Sequence, residues 1–347
     1  MFKMCRVMVT GAGSGVGQGI LKALRSSELP TTLIGADISP LNAALYRTDE
    51  AVIIPKVENP GAFDGIAKIL KECQIDVLMI GSEFELEFFS HHKFRLEMLT
   101  GTKIIVSNFD VVEISNDKWL TAEFLRKNNL PYPKSYLPSS VEDAVSMSAD
   151  LGFPFVIKSR TGTSSRNVHV VDNFEDLRAV FNSIPSPMLQ ELIASPSNEL
   201  DVEYTCSLFK GARGEVIGPF IARRTLKGGT SWLIEVTDNP ILHRTLLDLS
   251  SALDYSGSVN VQLMLRGSEV VPFELNARFS GTTAIRAHFG FNEPKMALLS
   301  YFYGKPIGAA NIRKGVALRY NEEVFIENTS SDECHPGIHR GVVNRWF

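Results

Sequence analysis

Through the first hundred residues, short apolar runs alternate with stretches of helical periodicity. The runs at 6–10, 32–36, 51–54, 76–80 and 103–106 predict strands, and 16–25, 60–72 and 83–99 predict helices between them. Such alternation predicts a parallel sheet wound by crossover helices. A helix expected at 117–128 ends at Leu130-Pro131-Tyr132-Pro133, whose prolines mark a boundary or hinge. Beyond it the pattern is mixed. Strands are expected at 155–159, 168–171, 188–191, 203–209, 216–222, 256–265 and 270–276, and helices at 141–150, 174–182, 240–254 and 294–303. The predicted fold class is therefore α/β followed by α+β: a wound parallel-sheet domain over 1–106, a mixed domain over 107–326, and a polar extension over 327–347.

The chain of 347 residues is long enough for about two domains. Its net charge of -4 is mildly acidic, which excludes the basic footprint of a nucleic-acid binder. Cys5, Cys73, Cys206 and Cys334 lack metal-ligand spacing, and a reduced, cytoplasmic setting fits them. The N-terminal apolar run breaks at once into a glycine loop instead of forming a signal peptide. No stretch approaches the ~18 apolar residues of a membrane helix, so a soluble protein is expected.

The densest chemistry lies in Val271-Pro272-Phe273-Glu274-Leu275-Asn276-Ala277-Arg278-Phe279-Ser280-Gly281, preceded by Asn260-Val261-Gln262. Period-2 alternation puts Glu274 and Asn276 on one strand face, and Gln262 on the preceding strand can join them. Three hard oxygen donors of this kind suit Mg²⁺, which completes its shell with water and nucleotide phosphates. Arg278 projects from the same face, a cationic fork beside a metal-phosphate site. A solvated edge strand would carry the same string equally well, so the order of the remaining motifs decides.

Thr10-Gly11-Ala12-Gly13-Ser14-Gly15-Val16-Gly17 follows a strand and opens a helix, with Asp37 at the end of the second strand. That context fits a dinucleotide fingerprint and hence an NAD(P)-dependent oxidoreductase. Such enzymes also need a Tyr-x-x-x-Lys pair on a helix of the same sheet. The single match, Tyr301 and Lys305, lies near the far end and straddles Gly304. A glycine loop used for packing, or for holding an acidic co-substrate, is the alternative.

Several strings then follow in order: Asn116-Asp117-Lys118 at a helix start; Phe153-Pro154-Phe155-Val156-Ile157-Lys158; the small-residue loop Thr161-Gly162-Thr163-Ser164-Ser165-Arg166-Asn167; Met188-Leu189-Gln190-Glu191-Leu192-Ile193; Asn198-Glu199-Leu200-Asp201-Val202-Glu203; and the pair ending in Arg278. In this order the chain resembles the ATP-grasp superfamily, closest to its carbamoyl phosphate synthase-like and carboxylate–amine ligase branch. The resemblance spans nearly the whole length, including a Rossmann-like, wound domain ahead of the two-lobed grasp. It implies a smaller lid lobe over about 130–190 and a catalytic lobe over about 191–326.

What the resemblance implies is specific. Lys118 and Lys158 would hold phosphates of ATP, and Lys158 ends an apolar strand where an unpaired charge is costly. Thr163, Ser164 and Ser165 would fold backbone N–H groups over the phosphates, although Asn167 stands where family members often carry glycine. The backbone of Leu192 and Ile193 would meet adenine, with Glu191 near its amino group. Glu199 would hold the ribose, and the inserted Ser195-Pro196-Ser197 leaves Asp201 as the competing choice. Gln262, Glu274 and Asn276 would bind two Mg²⁺, with Mn²⁺ as a substitute.

Arg278, with Arg223 or Arg224, would face the acyl phosphate and the amine's attack. The stretch 223–232 reads as a mobile segment joining strand to helix, followed by a solvated Glu235. Ser280, Thr282 and Thr283, with Glu83, Glu85 and Asp37, would line the acceptor pocket. The implied partners are a small carboxylic acid and an amine, amino acids among them, and a homodimer through the first domain. The implied reaction forms an amide or peptide bond with release of ADP and phosphate. Formation of carboxy phosphate or carbamoyl phosphate is the alternative within the superfamily. Cys334-His335-Pro336-Gly337-Ile338-His339 is broken by Pro336 and Gly337 and reads as a tail, and His91-His92 read as surface residues.

Overall fold

The computed structural model describes residues 2–162, 167–193 and 203–343. Its first sheet is parallel and built from β1 (Cys5–Val9), β2 (Thr31–Asp37), β3 (Glu50–Ile53), β4 (Val77–Met79) and β5 (Lys103–Ile105), in the order β3-β2-β1-β4-β5. Five strands wound in this order match the first five of a dinucleotide-binding sheet, so "Rossmann-like" fits loosely. The crossovers are α1 (Gly15–Arg25), α2 (Ala62–Glu72) and α3 (Leu86–Thr100). The expected helix from 83 divides, because a short turn at Glu83–Glu85 precedes α3.

Two helices follow. α4 (Phe109–Asn116) was not expected from the sequence, and α5 (Lys118–Lys127) starts at Asp117, whose carboxylate accepts from the N–H groups of Trp119 and Leu120. Asp117 thus caps α5 and separates the two helices.

The second sheet is antiparallel, in the order β6-β9-β7-β8: β6 (Ser135–Tyr136), β7 (Phe155–Ser159), β8 (Val168–Val171) and β9 (Pro187–Glu191). With α6 (Val141–Leu151) and α7 (Phe174–Val180) it encloses a core of its own around Ala144, Phe155, Ile157, Leu177 and Leu189.

The third sheet joins β10 (Glu203–Lys210), β11 (Val216–Lys227), β12 (Thr230–Val236), β13 (Gly257–Arg266), β14 (Glu269–Asn276) and β15 (Gly315–Leu318), in the order β14-β13-β10-β11-β12-β15. Stretch 223–232, expected to be a mobile connection, is instead the tip of the β11–β12 hairpin. Gly228 and Gly229 both take left-handed φ at its tip, and Lys227 pairs with Thr230. On one face of this sheet lie α8 (Pro240–Ala252), α4 and α5. On the other lie α9 (Thr283–His288) and α10 (Glu293–Ala297), which pack on α1. A single apolar core there combines Val7, Val9, Leu33 and Met79 of the first sheet with Phe209, Phe220, Phe279 and Phe291 of the third.

The segment past 326 also returns to the first sheet. Phe325 bridges Val342, Gly341 N–H donates to Tyr46 O, and Arg340 donates to the carbonyls of Thr48 and Asp49. Among the described residues no helix is long and apolar enough to cross a membrane.

Candidate active site

The β13–β14 register places Gln262 opposite Glu274 and Asn260 opposite Asn276. Directly paired residues share a face, so all four side chains stand together. Gln262 Nε2 donates to Glu274 Oε1 at 3.2 Å, and Asn276 Nδ2 donates to the same oxygen at 2.9 Å. Glu274 is therefore the centre of the cluster, with an amide on either side.

Arg278 follows just past β14. Its Nη2 donates to Asn276 Oδ1 and to Glu83 Oε2, each at 2.9 Å, and its Nη1 donates to Phe279 O at 3.0 Å. Asn260 does not join the donor set, because its amide oxygen accepts from Arg286 and from the Thr205 hydroxyl. Arg286 and Glu293 are both fully buried and paired at 3.2 Å, with Ser207 and Ser258 donating to Glu293.

Two lysines lie near this cluster, Lys158 from the second sheet and Lys118 from the start of α5. Lys158, at the buried end of β7, donates to Gln190 Oε1 at 2.6 Å. Burial pulls its pKa down to about 8; Lys118 pulls the same way and Glu274 opposes. Those couplings put Lys118, Lys158 and Glu274 near one another. Gln190 shares Lys158's face, since Val156 pairs with Gln190 and lies two residues from Lys158. A glutamine inside an apolar strand was the sequence signal for it.

Lys118 Nζ donates to Gly162 O at 2.7 Å, and Arg160 is tied to Asp117 at 2.6 Å. The start of the loop is thereby fixed to the start of α5. Thr163, Ser164, Ser165 and Glu199 lie outside the described residues.

Glu191 ends β9 as an ion-pair residue: Arg266 Nη1 donates to Oε1 at 2.6 Å and Lys134 N–H to Oε2 at 3.1 Å. It therefore links the second sheet to the end of β13. Leu192 is half-buried and Ile193 buried just after it. Arg223 pairs across the hairpin with Glu235 at 2.8 Å, so Glu235 is an ion-pair partner and not a solvated residue. Arg224 pairs with Glu203.

The glycine loop of the first sheet is closed. Gly13 N–H donates to Asp37 Oδ2 at 2.8 Å, and the Ser14 hydroxyl to Gly81 O at 2.6 Å. A Cβ on Gly81 would stand 2.2 Å from Thr10 O, so the loop after β1 is packed on the loop after β4. Asp37 thus binds the loop just ahead of the Ser14 N-cap of α1. Tyr301 is structural too, since its hydroxyl donates to Lys210 O and accepts from Gly257 N–H.

The hairpin carboxylate, its flanking amides and the nearby lysines form one polar cluster. Residues 115–282 match the family model of the ATP-grasp domain, and residues 7–105 match that of the PylC-like N-terminal domain; the chain belongs to the ATP-grasp superfamily. It is 24% identical over 300 residues to the carbamoyl phosphate synthase large chain of Campylobacter jejuni, covering 80% of this chain and 26% of that one. A carbamoyl-phosphate synthase of Methanobrevibacter smithii is 23% identical over 246 residues, covering 67% of this chain and 64% of that one. The chain thus spans about a quarter of the length of the first of these relatives.

Among solved structures, the biotin carboxylase of Campylobacter jejuni superposes with a TM-score of 0.75 at 14% identity, covering 97% of this chain and 86% of that one. The N5-carboxyaminoimidazole ribonucleotide synthetase of Thermus thermophilus gives 0.72 at 17%, covering 96% and 92%. These likenesses establish the fold.

Proposed function

We propose that the protein is an ADP-forming ligase that activates a small carboxylic acid as an acyl phosphate and condenses it with an amine. One observation carries this reading: Glu274 is held between the amides of Gln262 and Asn276, Arg278 bonds Asn276, and Lys158 and Lys118 lie near Glu274.

Hard oxygen donors around a single carboxylate fit Mg²⁺, and Gln262, Glu274 and Asn276 would hold it. Bound there, Mg²⁺ supplies neutralisation of phosphate charge. Lys158 and Lys118 hold the phosphates. The substrate carboxylate oxygen attacks the γ-phosphorus in line, the bond to the β-phosphate oxygen breaks, and ADP leaves. Arg278 orients the acyl phosphate and faces the oxyanion formed as the amine nitrogen attacks. The C–O bond then breaks, phosphate departs, and the nitrogen gives up its proton.

The test is incubation with Mg-ATP and pooled acids and amines, with phosphate release followed and the condensed product identified by mass. ADP and an amide are expected. AMP and pyrophosphate would exclude the acyl-phosphate route. Phosphate release that requires hydrogencarbonate alone would favour carboxy phosphate chemistry, to which the names of the relatives point. Stabilisation by NAD(P) and not by Mg-ATP would overturn the nucleotide assignment. Cytoplasmic location and a homodimer through the first sheet's domain belong to the same proposal.

A further inference from the structure

β15 is the last strand on one side of the third sheet, and among the described residues no strand pairs with its outer edge. Its pairing with β12 matches Leu318 to Leu233, Ala317 to Ile234 and Val316 to Glu235, and the Arg319 N–H donates to Trp232 O. Antiparallel ladders alternate, so Ala317 and Arg319 turn their backbone groups towards β12. Val316, Leu318 and Tyr320 turn theirs outward.

The same three residues carry exposed apolar side chains. Val316 is 58% exposed, Leu318 73% and Tyr320 73%, whereas Ala317, on the opposite face, packs against the core shared with the first sheet. An open edge usually carries a charge, a proline or a bulge that blocks pairing with another chain. Gly315-Val316-Ala317-Leu318 has none of these.

Charges stand instead on either side of the strand, and their signs are opposite. Arg313 and Lys314 precede β15, Glu322 and Glu323 follow it, and all four are exposed. Lys314 and Glu323 have no ion pair among the described residues, Glu322 reaches Arg47 only at 3.8 Å, and Arg313 donates to the His288 carbonyl.

A two-fold axis through Leu318 makes this pattern self-complementary. With a second β15 laid antiparallel and Leu318 opposite its own copy, Val316 meets Tyr320, Lys314 meets Glu322, and Arg313 meets Glu323. The outward-turned backbone groups then face one another, as hydrogen-bonded pairs require. A slip of one residue would oppose Leu318 to Ala317 or Arg319, whose groups are already turned to β12. A slip of two would keep the backbone bonds and lose both charge pairs.

We infer that β15 is a self-association edge, at which two copies of this chain pair antiparallel, Leu318 to Leu318, and join their third sheets into one. The contact is isologous and closes at two copies. It is separate from a homodimer through the first sheet's domain and does not depend on the ligase reading. Each copy brings one short strand, so the dissociation constant should be on the order of micromolar.

The experiment is sedimentation velocity on the full chain from about 1 to about 200 μM, a range that brackets an interface of this size. The wild type should pass from monomer to dimer. Leu318→Asp sets two carboxylates together on the axis and should remain monomeric with an unchanged melting temperature. Lys314→Glu should weaken the dimer roughly tenfold, and the double variant Lys314→Glu, Glu322→Lys should restore it. That exchange also covers the case in which Leu318→Asp fails to fold. Leu318→Cys should give a disulfide-linked dimer under mild oxidation, because a hydrogen-bonded pair holds its Cα atoms about 5.5 Å apart. The wild type, which keeps its own four cysteines, should give none.

A monomer at every concentration would overturn the inference. So would a dimer that persists in Leu318→Asp and is not cross-linked by Leu318→Cys, which would place the contact in the first sheet's domain. If the charge exchange failed to restore what Lys314→Glu had weakened, the register would be wrong.

Discussion

Glu83 Oε2 lies 2.9 Å from Arg278 Nη2, joining residues 195 positions apart. The first comes from the loop after β4 and the second from the end of β14, so the wound sheet directly positions the arginine of the cleft. Glu83→Gln removes the charge and keeps the shape, and Arg278 retains its bonds to Asn276 and Phe279. Turnover should fall between about 10- and 100-fold, as when an outer partner of a site residue is lost, with the KM for Mg-ATP unchanged. Steady-state kinetics at saturating acid and amine check this.

Glu274→Gln keeps the oxygen to which Gln262 and Asn276 donate and removes only the negative charge. The fold should therefore survive, with an unchanged melting temperature. ATP cleavage should fall by about 10²–10³. Normal ATP cleavage in this variant would show that the metal assignment is wrong.

Lys158 carries a pH signature. Burial lowers its pKa to about 8 in the free protein, and a triphosphate favours the charged form, so nucleotide binding raises it. Below pH 8 the lysine is already charged and affinity is flat. Above it, binding must take up a proton, and the Kd for ATP should rise by up to about tenfold per pH unit. In the protein alone the sign is opposite: desolvation of the ammonium costs stability below pH 8, and that cost is relieved as pH rises from 8 towards the unfolded value. Calorimetric titration of ATP between pH 7 and 9.5 tests the first statement, and Lys158→Arg should flatten the profile.

The buried Arg286 and Glu293 pair supports the hairpin from beneath. Removing one partner leaves an uncompensated buried charge, a loss of about 3–5 kcal/mol. Arg286→Met and Glu293→Leu should each lower the urea midpoint sharply, whereas the double variant should recover much of the loss. Equal losses in single and double variants would show that the polar partners Asn260 and Ser207 matter more than the charges.

Much of this architecture was legible in the sequence because local signals and final environment agreed. Apolar runs marked the strands of the wound sheet, and alternation in 270–276 put Glu274 with Asn276. What the sequence hid was non-local. Gly228 and Gly229 read as a mobile joint, yet a two-glycine turn is also what a tight hairpin needs, and only the pairing of Leu226 with Ser231 decides between them. α4 was missed because its eight residues are too short for a clear helical period, and the expected helix was started only at Asp117. β15 is a four-residue edge strand, defined by its partner β12 more than by its own residues. Glu235 read as solvated and Glu191 as a neighbour of adenine, since nothing local announces that Glu235 meets Arg223 or that Glu191 meets Arg266.

The Asp37 carboxylate on the Gly13 N–H has a consequence for rigidity. Gly13 and Asp37 are 24 residues apart, so the bond ties the loop after β1 to the end of β2. Asp37 also accepts from the Ile38 N–H, so both of its oxygens are held within the fold. The stretch that the glycine pattern offers as a receptor thus works as a latch between the first two strands.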